Sequence, residues 1–290
     1  MVKQRCFGGI PEELCDFDRA GILLQSIPYD GTSTWGKGSD RGFEAFLGAA
    51  ENMELYDIET DSEVYKKGIH IPDEIKGDRS PEELFEAVRK RTQKLLQANK
   101  FLTFFGGEHS ISMGIIEAFR EKYPGMTVLQ LDAHADLRPN YLGSEFNHAC
   151  AMHRASQHLN LVQVGIRSMD VSEKEYLDPD KCFFAHQLTE TSDWMERSID
   201  LMTDPVYVTI DLDVMDPSVM PSTGTPEPGG LDWYLLAQYL KKVFQTREVV
   251  GFDLVELAPI EHLKAPDFLV AKLYYKLLSY KFFLNHDYGK

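Results

Sequence analysis

Short apolar runs alternate with stretches of helical period from residue 22 to the end of the chain, and this alternation restricts the fold more than any other feature. The runs that read as strands are Ile22–Ile27, Glu54–Ile58, Phe101–Phe105, Thr127–Leu131, Leu161–Ile166, Cys182–Phe184, Val206–Ile210 and Val249–Leu254. Helices are expected near 41–50, 81–99, 110–122, 149–157, 191–201, 231–245 and 267–284. The 81–99 segment has a clear start, with Ser80 as N-cap, Pro81 in the first helical position and Glu83 in the third. Leu84, Val88 and Leu95 then keep a helical period on one face. Strands joined through helices run parallel, because a parallel neighbour needs a crossover, and the helices cover both faces of the sheet. The expected class is therefore α/β with a mostly parallel sheet. No linker, repeat or low-complexity tract divides the chain, so residues 1–290 read as one domain.

Sheets of this kind hold their ligands beyond the C-terminal ends of the strands, so the residues that follow each strand matter most. Thr127–Leu131 runs into Asp132, His134 and Asp136. Alternate residues of an extended chain share one face, so these three converge on one point. Taken alone, a D-x-H pair is a turn cap beside a core histidine. Two carboxylates and an imidazole closing an apolar strand call instead for a counter-charge, and a divalent cation is the usual one. Phe101–Phe105 leads into GGEHS with His109, Val206–Ile210 into Asp211 and Asp213, and Val249–Leu254 into Glu256. Each has a bland alternative: His109 or Ser110 as a helix cap, Asp216 before Pro217 as a turn residue, Glu256 as a solvated carboxylate. Together, two imidazoles and four carboxylates exceed what one octahedral ion uses while keeping an open position. Two ions ~3.5–4 Å apart, sharing a hydroxide, fit that count. The oxygen-rich set, with no thiolate, favours Mn²⁺, then Mg²⁺, Co²⁺ or Fe²⁺, over a closed structural zinc.

Composition narrows the partners. A net charge of −16 argues against binding a phosphate backbone; it suits a small cationic substrate, although acidity more often serves solubility alone. No 18-residue apolar run occurs, and the first residues lack an apolar signal segment, so no membrane association is expected. Cys6, Cys15, Cys150 and Cys182 form no C-x-x-C and read as reduced thiols of a cytoplasmic protein, Cys150 serving in packing.

GGEHS, LDAHAD, HACAM, DLDVMDPSVMPSTGTPEPGG and FDLVELAP stand in order across residues 101–260. In these motifs the chain resembles the ureohydrolases of the arginase/agmatinase family, the agmatinase branch most closely. The resemblance implies a three-layer α/β/α sandwich around an eight-stranded parallel sheet, two Mn²⁺ per chain, and hydrolysis of a guanidino group to urea and an amine, agmatine giving putrescine. It assigns His109 and Asp136 to one ion, His134 and Asp213 to the other, and Asp132 and Asp211 as bridges. Asp136 also hydrogen-bonds the bridging hydroxide, Glu256 grips the guanidinium, and His148 moves protons to the leaving amine, although His148 could simply open the next helix. Thr223 and Thr225 offer hydroxyls to the substrate from the PSTGTPEPGG loop. A homo-oligomer, trimer or hexamer, is implied as well.

The segment WGKGSDRGFEAFL departs from the family pattern, with Lys37 and Phe43 in place of prolines. That leaves the far end of the substrate open, and guanidinobutyrase, guanidinopropionase, guanidinase and arginase remain alternatives. A deacetylase-like metallohydrolase normally holds one zinc, and an inactive homologue normally lacks ligands; the full set of six argues against both. Apart from Lys37 and Arg138 the motifs carry no cation for a substrate carboxylate, so arginine and guanidinobutyrate are expected to be poor substrates.

Overall fold

The strands are β1 (Ile22–Ile27), β2 (Ile69–His70), β3 (Phe101–Gly106), β4 (Thr127–Leu131), β5 (Asn160–Ile166), β6 (Cys182–Phe184), β7 (Val206–Asp211) and β8 (Val249–Val255). In the computed structural model they form one eight-stranded sheet in the order β2-β1-β3-β8-β7-β4-β5-β6. Every neighbouring pair runs parallel. The structure describes residues 5–191 and 193–284. The two ends of the expected 1–290 domain and Ser192, within the 191–201 helix, lie outside the described residues.

The helices α1 (Gly42–Ala50), α2 (Pro81–Leu96), α3 (Ile111–Lys122), α4 (His153–His158), α5 (Trp194–Asp200), α6 (Trp233–Thr246) and α7 (Ala265–Phe283) cover both faces. Alternate strand residues serve opposite cores, as the two-residue period of a strand requires. Leu24, Leu129 and Val208 pack with Phe46 of α1, Leu240 of α6 and Tyr274 of α7. Leu23, Val128 and Tyr207 face the other way, toward Val88 of α2 and Phe119 of α3. Each apolar side chain buried in this way stabilises the fold by about 1.5–3 kcal/mol. The α2 start is the expected capping box: Glu83 N–H donates to Ser80 Oγ at 3.3 Å, and Ser80 N–H to Glu83 Oε2 at 3.1 Å.

Three expectations are corrected. Glu54–Ile58 is not a strand; only Asp57 makes a bridge, antiparallel to Ser62. That stretch is drawn into a local turn tied to α7, where Lys276 Nζ donates to Asp57 Oδ2 at 2.8 Å and Tyr275 to the Leu55 carbonyl. The missing edge strand is the two-residue β2, which pairs with β1. The helix expected at 149–157 splits into a 3-10 turn at His148–Cys150 and the short α4.

The third correction concerns the cysteines. Cys6 and Cys15 form a disulfide with Cα atoms 5.6 Å apart, because the chain doubles back between them through two short turns. Cys150 and Cys182 are free and buried. The compartment reading based on four reduced thiols is therefore without support. Among the described residues no helix is long and apolar enough to cross a membrane.

Candidate metal centre

The four central strands, β3-β8-β7-β4, deliver the candidate residues side by side. His109 follows β3, Glu256 follows β8, Asp211 ends β7, and Asp132 follows β4. Two triads each offer ligand atoms lying within 4.8 Å of one another: His109, Asp132 and Asp211, and Asp132, His134 and Asp213. Asp132 belongs to both. Asp136 joins the first triad, its Oδ2 3.0 Å from His109 Nδ1. His134 Nδ1 lies 2.9 Å from Asp213 Oδ2. The six sequence-selected ligands thus meet at one place.

The fit to a cation rests on His109. Its Nδ1 lies 3.0 Å from both Asp132 and Asp136 yet aligns with neither as a hydrogen bond, so a buried ring nitrogen is left without a partner. Its Nε2 lies 2.9 Å from Thr209 Oγ1, and the Thr209 hydroxyl donates to buried Asp253 at 2.7 Å. With the Thr209 hydroxyl spent on Asp253, Thr209 accepts from Nε2–H and Nδ1 faces the carboxylates, where, against burial, Asp132 and Asp136 hold the imidazole well above its usual range; a bound cation would take the place of the Nδ1 proton. An outer partner that fixes the tautomer in this way is characteristic of metal-binding histidines. Asp132 is oriented by Gln130 Nε2 at 2.7 Å and Asp213 by the Ala133 N–H at 3.0 Å.

Crowding shows in the acidities. Burial, then the Asp132 charge, pushes Asp136 up to about 7. Burial, with Asp213 and Asp132 next, holds Asp211 well above the usual carboxylate range. Burial works to lower His134, but Asp213 and Asp132 outweigh it and carry the imidazole up to about 12. Such a cluster demands positive charge, and the residues present fit divalent ions. Asp136 and Glu256 also hold left-handed backbones, with φ of 54° and 68°. A non-glycine residue held there is strained, more so for glutamate than for aspartate, and such strain gathers at functional sites.

A cavity of about 280 Å³ opens over the cluster, with His148, Thr225 and Glu256 on its wall. A wider groove of about 750 Å³ at the sheet edge holds none of the candidate ligands, so size alone does not locate the chemistry. Burial, then the neighbouring His134 and His109, pushes His148 down to about 4. Its backbone N–H donates to Thr32 Oγ1 at 3.0 Å, and its Nδ1 lies 3.1 Å from the same oxygen. The Thr32 hydroxyl in turn meets the carboxylate of Glu108, which also accepts from Ser110 Oγ at 2.6 Å. Burial, against these hydrogen bonds, raises Glu108 to about 7.

Sequence reasoning missed Glu108 and Thr32, although Glu108 lies inside GGEHS. Ser110, one of the cap alternatives, spends its hydroxyl on Glu108 and makes no side-chain cap bond. Gly107 is required here, because a Cβ would fall 1.9 Å from the Tyr29 carbonyl oxygen. That close approach brings the 29–32 stretch under the GGEHS turn, with Glu108 N–H donating to the Tyr29 carbonyl at 2.8 Å.

The substrate-loop residues divide. Thr225 lines the cavity, whereas Thr223 is buried with its hydroxyl unpartnered. Asp216 is the turn residue expected, accepting from Ser218 N–H at 3.0 Å. Arg138 lines the cavity with Asp170 at 3.8 Å and Glu173 at 3.9 Å, and stacks over Tyr141. Lys37 turns away to the Asp30 carbonyl at 3.0 Å.

The sequence profile of the arginase family matches residues 20–279. An N(1)-aminopropylagmatine ureohydrolase from Synechocystis sp. is 34% identical over 93% of this chain and 92% of its own length. An agmatinase from Pyrococcus horikoshii is 27% identical over 91% and 93% respectively. Among solved structures, the agmatine ureohydrolase of Thermoplasma volcanium superposes with a TM-score of 0.83 at 27% identity, covering 96% of this chain and 95% of that one.

Proposed function

The chain belongs to the arginase family, and from that premise we propose that it is a binuclear manganese amidinohydrolase converting agmatine to putrescine and urea. That it is a hydrolase of guanidino or amidino groups follows from the family. The observation that carries the finer reading is the pair of triads sharing Asp132 beneath a cavity walled by Glu256 and His148.

In this reading His109, Asp132, Asp136 and Asp211 would hold one ion, and Asp132, His134, Asp211 and Asp213 the other. Two divalent ions, when bound, supply the charge that makes water nucleophilic near neutral pH. Glu256 Oε1 accepts the His109 N–H at 2.8 Å, which fixes the carboxylate for a planar fork of guanidinium N–H donors. Attack of water at the guanidinium carbon and cleavage of its bond to the alkyl nitrogen give urea, and the amine must leave with a proton. We assign that proton to His148, a reading supported by its position on the cavity wall beside Glu256. With Glu108 ionised, Thr32 donates to Glu108 and accepts from His148 Nδ1–H, which leaves Nε2 free to take and return a proton.

Selectivity lies in the tail. Among the described residues Arg138 is the one lysine or arginine on the cavity wall, and Asp170 and Glu173 already flank it. Burying a substrate carboxylate among acidic groups costs several kcal/mol, so arginine and guanidinobutyrate are disfavoured. A longer cationic tail is the second reading, favoured by the aminopropylagmatine ureohydrolase from Synechocystis. A single domain over residues 1–290, supported by the unbroken alternation of strands and helices, a cytoplasmic location, supported by the lack of an apolar signal segment, and a trimeric or hexameric assembly, supported by the family resemblance, belong to the same proposal.

Urea release with added Mn²⁺, measured on agmatine, N(1)-aminopropylagmatine, arginine, guanidinobutyrate and guanidine, tests it. Agmatine is expected to be hydrolysed and arginine not. Preference for arginine or guanidinobutyrate over both cationic substrates would refute the tail reading while leaving the guanidino chemistry intact.

A further inference from the structure

Arg167 is half-buried just beyond β5, and among the described residues no carboxylate lies within ion-pair distance of it. Its guanidinium is spent on main-chain oxygens instead. Nη2 donates to the Asp213 carbonyl at 2.6 Å and the Glu227 carbonyl at 2.8 Å, and reaches Met215 at 3.4 Å. Nη1 reaches Gly165 at 3.1 Å and Val214 at 3.4 Å, and Nε donates to Glu227 at 3.2 Å. A rigid fork with five N–H donors can hold several fixed acceptors at once, which a lysine ammonium on a flexible stem cannot.

The backbone of the same residue is engaged on the other side. Arg167 N–H donates to the Ala133 carbonyl at 2.8 Å, as does Ser168 N–H at 3.0 Å. Ala133 lies between Asp132 and His134, and its own N–H donates to Asp213 Oδ1 at 3.0 Å. One residue therefore stitches together the Asp132–His134 stretch, the Asp213–Met215 stretch and the loop carrying Thr225 and Glu227. No such tie runs from Arg167 to His109 or Asp136, which hang from β3 and from the chain beyond His134.

We propose that Arg167 is the positioning residue for the ion position served by His134 and Asp213, and that it links filling of that position to placement of the Thr225 loop at the cavity wall. The inference rests on the two-ion reading above. Its consequence is an asymmetry: loosening Arg167 weakens the position of His134 and Asp213 and the substrate contact most, and reaches the position of His109 and Asp136 only through the shared Asp132.

The test uses the full chain stripped of metal, as parent, Arg167→Met and Arg167→Lys, titrated with Mn²⁺ by calorimetry. Removing such an outer partner costs ~10–100-fold in metal affinity. The parent is expected to take up two ions, and Arg167→Met to hold one near parental affinity while the other weakens by about that factor. Arg167→Lys should fall between them and, if the methionine variant does not fold, carries the test. At saturating Mn²⁺ the variants should show a raised KM for agmatine with kcat less affected. Equal weakening of both ions, or of neither, overturns the role of Arg167. A parent that binds only one ion overturns the two-ion reading and this inference with it.

Discussion

Replacing Thr209 by valine removes one hydroxyl and keeps the side-chain volume, and that hydroxyl joins His109 Nε2 at 2.9 Å to Asp253 Oδ1 at 2.7 Å. Both neighbours are fully buried, so water does not readily replace what is lost. His109 would keep an N–H with no acceptor. Asp253 would lose one of its donors and retain the Tyr207 hydroxyl at 2.7 Å. A buried polar group left without a partner costs about 1–3 kcal/mol, and because Asp253 keeps a donor, that single cost at His109 sets the expected loss. The imidazole would also be free to flip, turning its lone pair away from the carboxylates, and loss of an outer partner lowers metal affinity by ~10–100-fold.

Denaturant unfolding of the metal-free chain measures the first effect, and Mn²⁺ titration the second. Thr209→Val should lose stability and weaken the ion position held by His109, the opposite position from that loosened at Arg167. Thr209→Ser, which keeps the hydroxyl, should restore most of the metal affinity. Parental stability and two parental ion affinities in Thr209→Val would refute the assignment of Nδ1 as the metal-facing nitrogen.

Further outcomes follow from the same geometry. Chelation should lower the melting temperature, since an ion present at 100 times its Kd and bound only by the folded chain adds about 2.7 kcal/mol; unchanged melting on chelation, followed by calorimetry, would leave the acidic cluster unexplained. His148→Asn should bind metal as the parent does and lose turnover by ~10²–10⁴-fold, with the loss read from the pH–rate profile; an unchanged profile would make the histidine structural. At the α7 cluster, burial acts to raise Glu59, but hydrogen bonds from Lys241, Lys276 and Tyr280 outweigh it and lower it to about 2. Its folded value is depressed below the unfolded ~4.3, so its stabilisation is complete above that pH and lost as pH falls toward 2. Lys276→Met should therefore lower the melting temperature more at pH 7 than at pH 2.5, and a gap independent of pH would contradict the pairing.

Local pattern determined much of this protein. The periods of two and 3.6 residues are written into each segment, so β1, β4 and β6 and the start of α2 were legible to the residue. The convergence of the candidate ligands was legible for a related reason: an apolar strand that ends in alternating Asp, His and Asp carries its polar groups within five residues, and the crossover rule sends every such end to one side of the sheet. Tertiary structure decided what no short window contains. A two-residue strand such as Ile69–His70 has no period to read, and Glu54–Ile58, with strand-like composition, was captured by Lys276 and Tyr275 more than 200 positions away. The Cys6–Cys15 bridge depends on a reversal of the chain between them. Thr32, Glu108, Thr209 and Arg167 act through partners brought from distant strands, and only packing the sheet shows that one threonine holds His148, another holds His109, and an arginine binds carbonyls where a carboxylate would be its usual partner.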